Sequence, residues 1–290
     1  MPEHFIHSGN FFALPYSKRP ELRTKERILA LQERLVNAKT NGLMTLNVPV
    51  SYGLKTPIWQ YDTKDRLRAL EEGLKAALWA KENAKHPDLL YAGFEIGTYD
   101  DAMYIFNKAS DVGLTRFAAG FGLFSRFIQF RNEDKLKQFE VLAAFNDVLN
   151  ERGTIEFHVS GGSALNILEL LAYANVSSAD GSSAVLAGLA YGSVLTASGR
   201  SIRANKLKEW RCDCGFCSEM DKHAALKQLK SSPEARVRHN IRLVRLSEAR
   251  INEALRENAM AELTERRLLE YNKKELWLCY AMIRKSKSRT

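Results

Sequence analysis

The chain has 290 residues, 45% apolar and 27% charged, enough to bury one large core or two modest ones. Met1-Pro-Glu-His4 opens no charged leader with an apolar run behind it, and no stretch approaches the roughly 18 uninterrupted apolar residues of a membrane span. A soluble, cytoplasmic protein with no membrane partner is therefore expected. The 43 Lys and Arg exceed the 34 Asp and Glu, giving a formal charge of +9. The excess gathers at Arg236, Arg238, Arg242 and Arg245 and in a tail from Arg284 to Arg289. Such clusters neutralise phosphates and release counterions, which points to a nucleic acid, although a solvated helix face explains either cluster taken alone.

Short apolar, β-rich runs begin at His4-Phe-Ile-His7 and continue through residues 43–48, 89–94, 115–119, 154–159 and 176–179. Between them, residues 24–39, 64–84, 99–112, 134–150 and 163–174 carry apolar side chains at three- and four-residue spacing, the period of a helix. This alternation predicts an α/β fold with a parallel sheet covered by helices. A β/α barrel and a doubly wound sheet both place functional groups at C-terminal strand ends, so the alternation does not choose between them. From Pro233 to about Ile283 the pattern predicts almost continuous helix, with Ile241, Val244, Ile251, Leu255, Leu263, Leu268, Leu276 and Tyr280 as its buried stripe. The expected division is a barrel-like domain over 1–206, a metal-binding segment over 207–240, and C-terminal helices with a basic tail over 241–290.

Cys212-Asp-Cys-Gly-Phe-Cys217, with His239 22 residues further on, has the composition of a metal site. Three thiols this close supply most of a tetrahedral shell before any long-range folding, and reduced cysteines fit a cytoplasmic setting. A structural Cys3His zinc site is expected. His223 and Cys279 are alternative fourth ligands. His239 is favoured because it lies early in the helical stretch after Pro233, from which its side chain can turn back to the knuckle.

The order of motifs resembles the tRNA-guanine transglycosylase family, zinc-containing β/α barrels that exchange a guanine in a polynucleotide for a 7-deazaguanine. Four segments carry the resemblance: Gly93-Phe-Glu-Ile-Gly-Thr-Tyr-Asp-Asp-Ala102 with Ala118-Ala-Gly-Phe-Gly122; Phe157-His-Val-Ser-Gly-Gly-Ser-Ala-Leu165; Val176-Ser-Ser-Ala-Asp180; and the three cysteines with His239-Asn240. The resemblance implies a TIM-like barrel, which need not be complete at its N-terminus, with an inserted zinc segment and C-terminal helices. It also implies a glycosyltransferase (pentosyltransferase) activity, structural Zn2+ on Cys212, Cys214, Cys217 and His239, and a homodimer. Asp180 matches the position of the family's nucleophile. Ser8, Asn47, Glu95, Gly120, Gly122 and Gly161 match positions that hold substrate.

The chain also departs from the family. Where Asp-Ser-Gly-Gly-Phe is usual it has His7-Ser-Gly-Asn-Phe11, so proton transfer would fall to the His7 imidazole, which titrates near neutrality. The base-reading Asp and Gln stand here as Asn47 and Glu95, and Gly181-Ser-Ser-Ala184 replaces an Arg-bearing loop. These departures resemble the shorter phage and bacterial branch that installs 7-deazaguanines, such as 7-cyano-7-deazaguanine, in DNA. The expected partners are therefore DNA and a 7-deazaguanine base, in the cytoplasm of a bacterium or a phage host. A tRNA substrate is the alternative. A noncatalytic accessory member of the family and a zinc protein acting on a small molecule are the rival classes. Asp180 has a plain alternative as a cap on the helix that follows it, and His7 as a core histidine bonded to backbone.

Overall fold

A computed structural model of the chain describes residues 4–6, 24–48, 50, 58–120, 132–161, 165–181, 183–210, 212 and 214–288. Contact density divides it into two compact units, one of 1–160, 176–178 and 281–290, the other of 161–175 and 179–280.

The first unit holds the sheet. Its strands β1 (His4–Ile6), β2 (Thr40–Met44), β3 (Leu90–Phe94), β4 (Arg116–Gly120) and β5 (Glu156–Ser160) pair in parallel with each next neighbour. The two-residue β6 (Ser178–Ala179) continues the order β1-β2-β3-β4-β5-β6. A doubly wound sheet reverses its strand order at a switch point. This order never reverses, and the sheet is a curled half-barrel. The two further strands among the described residues, β7 (Ser193–Leu195) and β8 (Ser201–Arg203), pair antiparallel with each other as a separate hairpin.

Parallel strands covered on both faces read as continuous apolar runs rather than alternations. Every residue of β3 is buried accordingly. The helices of this unit are α1 (Lys25–Glu33), α2 (Thr63–Asn83), α3 (Tyr99–Asp111) and α4 (Asn132–Arg152). Phe106 of α3 meets Phe117 and Phe157 of the sheet, and Phe145 of α4 meets Phe157, with ring centroids 4.9–5.4 Å apart. Gly93 is needed where β3 passes β2, because a Cβ there would lie 2.7 Å from the Thr45 carbonyl oxygen. Its amide donates to Thr45 Oγ1 at 3.0 Å.

The second unit contains α5 (Leu165–Tyr173), α6 (Ser183–Leu189), the β7–β8 hairpin, α7 (Lys222–Ser231), α8 (Pro233–Arg256) and α9 (Met260–Tyr271). The helix α10 (Lys274–Lys287) starts in this unit and ends in the first. The near-continuous C-terminal helix expected from periodicity is thus three helices. The breaks fall at Asn258 and Asn272, with φ of 56° and 48°. Asn enters the left-handed region more readily than other non-glycine residues, and once there it stops the i to i−4 ladder. The expected stripe holds at Leu263, Leu268, Leu276 and Tyr280, but Leu255 is 53% exposed. Ala254 and Leu243 take the inward positions of α8 instead.

No helix among the described residues is long and apolar enough to cross a membrane.

Candidate metal centre and carboxylate site

Cys214 to Ser218 form a tight knuckle closed by their own backbone, with Cys212 beside it. The amides of Cys217 and Ser218 donate to the Cys214 carbonyl at 2.8 and 3.0 Å, and the Cys214 amide points at Cys212 Sγ at 3.4 Å. His239 approaches from α8. That helix begins with Ser232, whose hydroxyl accepts from the Ala235 amide at 3.1 Å, and with Pro233 in its first turn, where no amide is lost. His239 therefore sits in the second turn and is fully buried.

Its Nδ1 lies 3.2 Å from Cys214 Sγ and 3.4 Å from Cys217 Sγ. The four ligand atoms of Cys212, Cys214, Cys217 and His239 all lie within 4.8 Å of one another. A tetrahedral ion with bonds of about 2.3 Å to sulfur and about 2.0 Å to nitrogen sets an N···S edge of roughly 3.5 Å. The two N···S edges to Cys214 and Cys217 are that size to within a few tenths, so this group can hold a metal ion.

The surroundings orient the ligands. His239 Nε2 donates to the Leu195 carbonyl at 2.8 Å, which fixes its proton there and leaves Nδ1 to face the sulfurs. Trp210 Nε1 donates to Cys217 Sγ at 3.4 Å, and its ring meets the imidazole edge-on with centroids 5.1 Å apart. Asn240 holds the other side of the same strand. Its Oδ1 accepts from the Leu195 amide at 2.8 Å, and its Nδ2 donates to the carbonyls of Ala184 and Ser193 at 3.0 and 3.3 Å. Burial opposes a charge on His239, but the sulfurs of Cys212 and Cys214 and the Leu195 carbonyl outweigh it and push its pKa up to about 9. The Cys214 thiol is held far below the usual range by hydrogen bonds from Cys212 and Cys217. The Cys217 thiol is pushed far above the usual range by its contacts with Cys212 and Cys214, so the charge rests on one sulfur and a cation would bind by displacing protons from Cys217 and His239.

Of the three fourth ligands weighed from sequence, the fold brings in His239. His223 is exposed in the first turn of α7, where its amide bonds Asp221 Oδ1 at 2.8 Å. Cys279 is buried in α10 and does not belong to the group.

Asp180 directly follows β6 and is half-buried. Its Oδ1 accepts from the Gly161 amide at 3.0 Å. Gly161 directly follows β5 with φ of 80°, a left-handed conformation that glycine adopts without strain. Asn47, three residues beyond β2, is 1% exposed. Glu95, the residue after β3, is half-buried, and its Oε2 accepts from the Val50 amide at 3.1 Å. Gly120 ends β4 opposite Ser160. His7, Ser8 and Gly122 lie outside the described residues.

The grouping of Arg236 with the exposed arginines does not survive folding. Arg236 is buried and donates to the carbonyls of Gly188, Leu229 and Lys230, at 3.0, 3.1 and 3.3 Å. These carbonyls end α6 and α7, so the guanidinium caps two helices and is unavailable to phosphate. Arg242 and Arg245 remain exposed, and Arg238 is exposed in an ion pair with Glu234 at 2.7 Å.

Two polar groupings went unread in the sequence. His158 in β5, buried among apolar neighbours, has Nδ1 2.8 Å from Ser178 Oγ. Glu169 of α5 forms a buried network with Arg267 and Tyr271. A lone Glu inside the apolar run Leu165-Asn-Ile-Leu-Glu-Leu-Leu171 was the available signal for the second. Compared with known proteins, the chain matches no family model and no curated sequence.

Proposed function

We propose that the protein is a base-exchange transglycosylase that replaces a guanine in DNA with a 7-deazaguanine, on a TIM-like β/α framework stiffened by structural zinc. The observation that carries the reading is the Asp180 carboxylate, directed by the amide of Gly161, the residue after a parallel strand. The family-like motif order of the sequence supports it, as does the Cys3His group.

Exchanging a base without cutting the sugar-phosphate chain needs a nucleophile that holds C1′ while one base leaves and another enters. A carboxylate can attack an oxocarbenium-like centre and is itself a competent leaving group. Asp180 Oδ would bond to C1′ as the C1′–N9 bond breaks. The electron pair goes to guanine, which takes up a proton and departs. In the second half, N9 of the incoming deazaguanine bonds to C1′, loses its proton and releases the carboxylate unchanged. The Gly161 amide orients the carboxylate through Oδ1. His7 is the residue proposed to carry the proton. Asn47 and Glu95 are proposed to hold the edge of the purine, with Gly120 as a further substrate contact.

Zinc is the proposed ion because three thiolates and one imidazole, in a closed tetrahedral arrangement, are a structural zinc donor set. All four positions are taken by protein, so the metal holds the fold and does not touch the substrate. A base stacked within a duplex is out of reach of such a pocket, so the nucleotide must be flipped out or presented in a single strand. The exposed Arg242 and Arg245 would offset part of that cost through the phosphates.

The test is incubation of the purified chain with duplex DNA, single-stranded DNA and tRNA, each with labelled guanine. Label in DNA alone supports the reading, label in tRNA alone replaces DNA by tRNA, and label in neither supports the accessory class.

A further inference from the structure

We infer that Tyr271, Arg267 and Glu169 form a positioning triad that fixes the start of α5 at Leu165, four residues after Gly161, and thereby the Gly161 amide that holds Asp180. Arg267 Nε donates to Glu169 Oε1 at 3.1 Å, and its Nη2 donates to the Tyr271 hydroxyl at 2.9 Å and to the Ala197 carbonyl at 2.6 Å. Its Nη1 pairs with Glu270. The Tyr271 hydroxyl lies 2.9 Å from the Leu165 carbonyl and 3.1 Å from Glu169 Oε2, with one proton to share between them. Burial pushes the Tyr271 phenol well above its ordinary pKa, so it keeps that proton.

The location of the triad argues for geometry rather than bulk stability. The side chains of Arg267 and Glu169 are 4% and 3% exposed. Desolvating such a pair cancels most of its Coulomb gain, and well-packed apolar residues would stabilise the helices as well or better. What an apolar cluster lacks is direction. Here a planar guanidinium and a phenol hold three separate elements at fixed angles: the first residue of α5, the β7–β8 loop at Ala197, and α9. Leu165 is the residue from which α5 departs, four positions after Gly161. The β7–β8 hairpin is also the element whose Leu195 carbonyl orients His239. The triad therefore sits where the start of α5 and the hairpin that supports the metal ligands are both clamped.

The inference rests on the transglycosylase reading only for its catalytic consequence, and the test separates the two. Amide exchange is followed by NMR on the metal-loaded full chain, with Tyr271→Phe removing the hydroxyl and keeping the ring. The exposed Gly161 amide is expected to exchange about tenfold faster, the weight of the lost Tyr271–Leu165 hydrogen bond, while Leu243 in α8 keeps its protection. Base exchange on DNA should lose about tenfold in kcat with KM within about twofold, because the triad aims the nucleophile and does not itself touch the polynucleotide. Glu169→Gln, nearly isosteric, should give the same pattern. Unchanged Gly161 protection in a folded variant overturns the inference, as does a rise in KM with kcat intact. Failure of both variants to fold also overturns it, since the triad would then serve stability alone. Loss of Gly161 protection in a protein that never exchanges bases leaves the triad standing and removes the transglycosylase reading.

Discussion

His239 Nε2 donates to the Leu195 carbonyl at 2.8 Å, so the ring can present only Nδ1 to the three sulfurs. A ligand fixed in this way loses little rotational freedom on binding, and the carbonyl raises its basicity. One tightly held metal per chain is expected. His239→Ala and Cys214→Ser should abolish it, whereas His223→Ala should leave it in place. Elemental analysis of the three purified variants checks this, and equal metal content in His239→Ala would refute the ligand set.

The strap behind the metal is expected to be as sensitive as the ligands. Asn240 is fully buried and makes three hydrogen bonds that join Leu195, Ser193 and Ala184. Asn240→Ala leaves a buried amide and two carbonyls short of partners and should cost about 3 kcal/mol in a urea midpoint analysis. Asn240→Asp keeps the acceptor for Leu195 and loses both donors, so it should not restore stability.

Much of the fold was legible because parallel strands advertise themselves. Each apolar run from His4 to Ala179 contains a strand of the sheet, and β3, buried throughout, shows why: a strand covered on both faces tolerates little but apolar side chains. The knuckle was legible for a different reason: ligand chemistry leaves few substitutes for Cys at that spacing. What stayed hidden depends on tertiary context. Asn258 and Asn272 break the C-terminal helix through backbone angles that helix-compatible residues do not reveal. Arg236 resembles its exposed neighbours in sequence and is turned inward only because two helix ends converge on it. The bond from the Gly161 amide to Asp180, 19 residues away, likewise has no mark in the sequence.

The arginines of α8 should separate by burial. Arg236→Met withdraws three donors from helix-end carbonyls and should destabilise the fold by about 2 kcal/mol. Arg242→Ala and Arg245→Ala should each change stability by under about 0.5 kcal/mol and weaken binding to DNA. Together they should reduce the slope of log affinity against log salt by roughly 2 in duplex DNA, at about 0.9 per phosphate contact. Denaturation and salt-titrated anisotropy distinguish the two classes. An unchanged salt slope in the double variant would remove α8 from the nucleic-acid surface.

Close approach sets a further limit. A Cβ on Gly188 would lie 2.8 Å from the Val237 backbone nitrogen, where α6 crosses α8. Gly188→Ala must push the helices apart and should cost about 1–3 kcal/mol. Thermal unfolding checks it. A Tm equal to the parent's would show that the crossing has slack.

The central claim is that Asp180 exchanges guanine for a 7-deazaguanine in DNA. Its most direct test is nucleoside mass spectrometry of DNA and RNA from cells that express either the parent chain or Asp180→Asn and are supplied with the deazaguanine precursor. The account predicts a 7-deazaguanine nucleoside in the DNA of cells carrying the parent and none with Asp180→Asn, whose binding to DNA should stay within about threefold of the parent's, a difference of under 1 kcal/mol. Modified nucleoside confined to RNA, or undiminished in the Asp180→Asn cells, would contradict it.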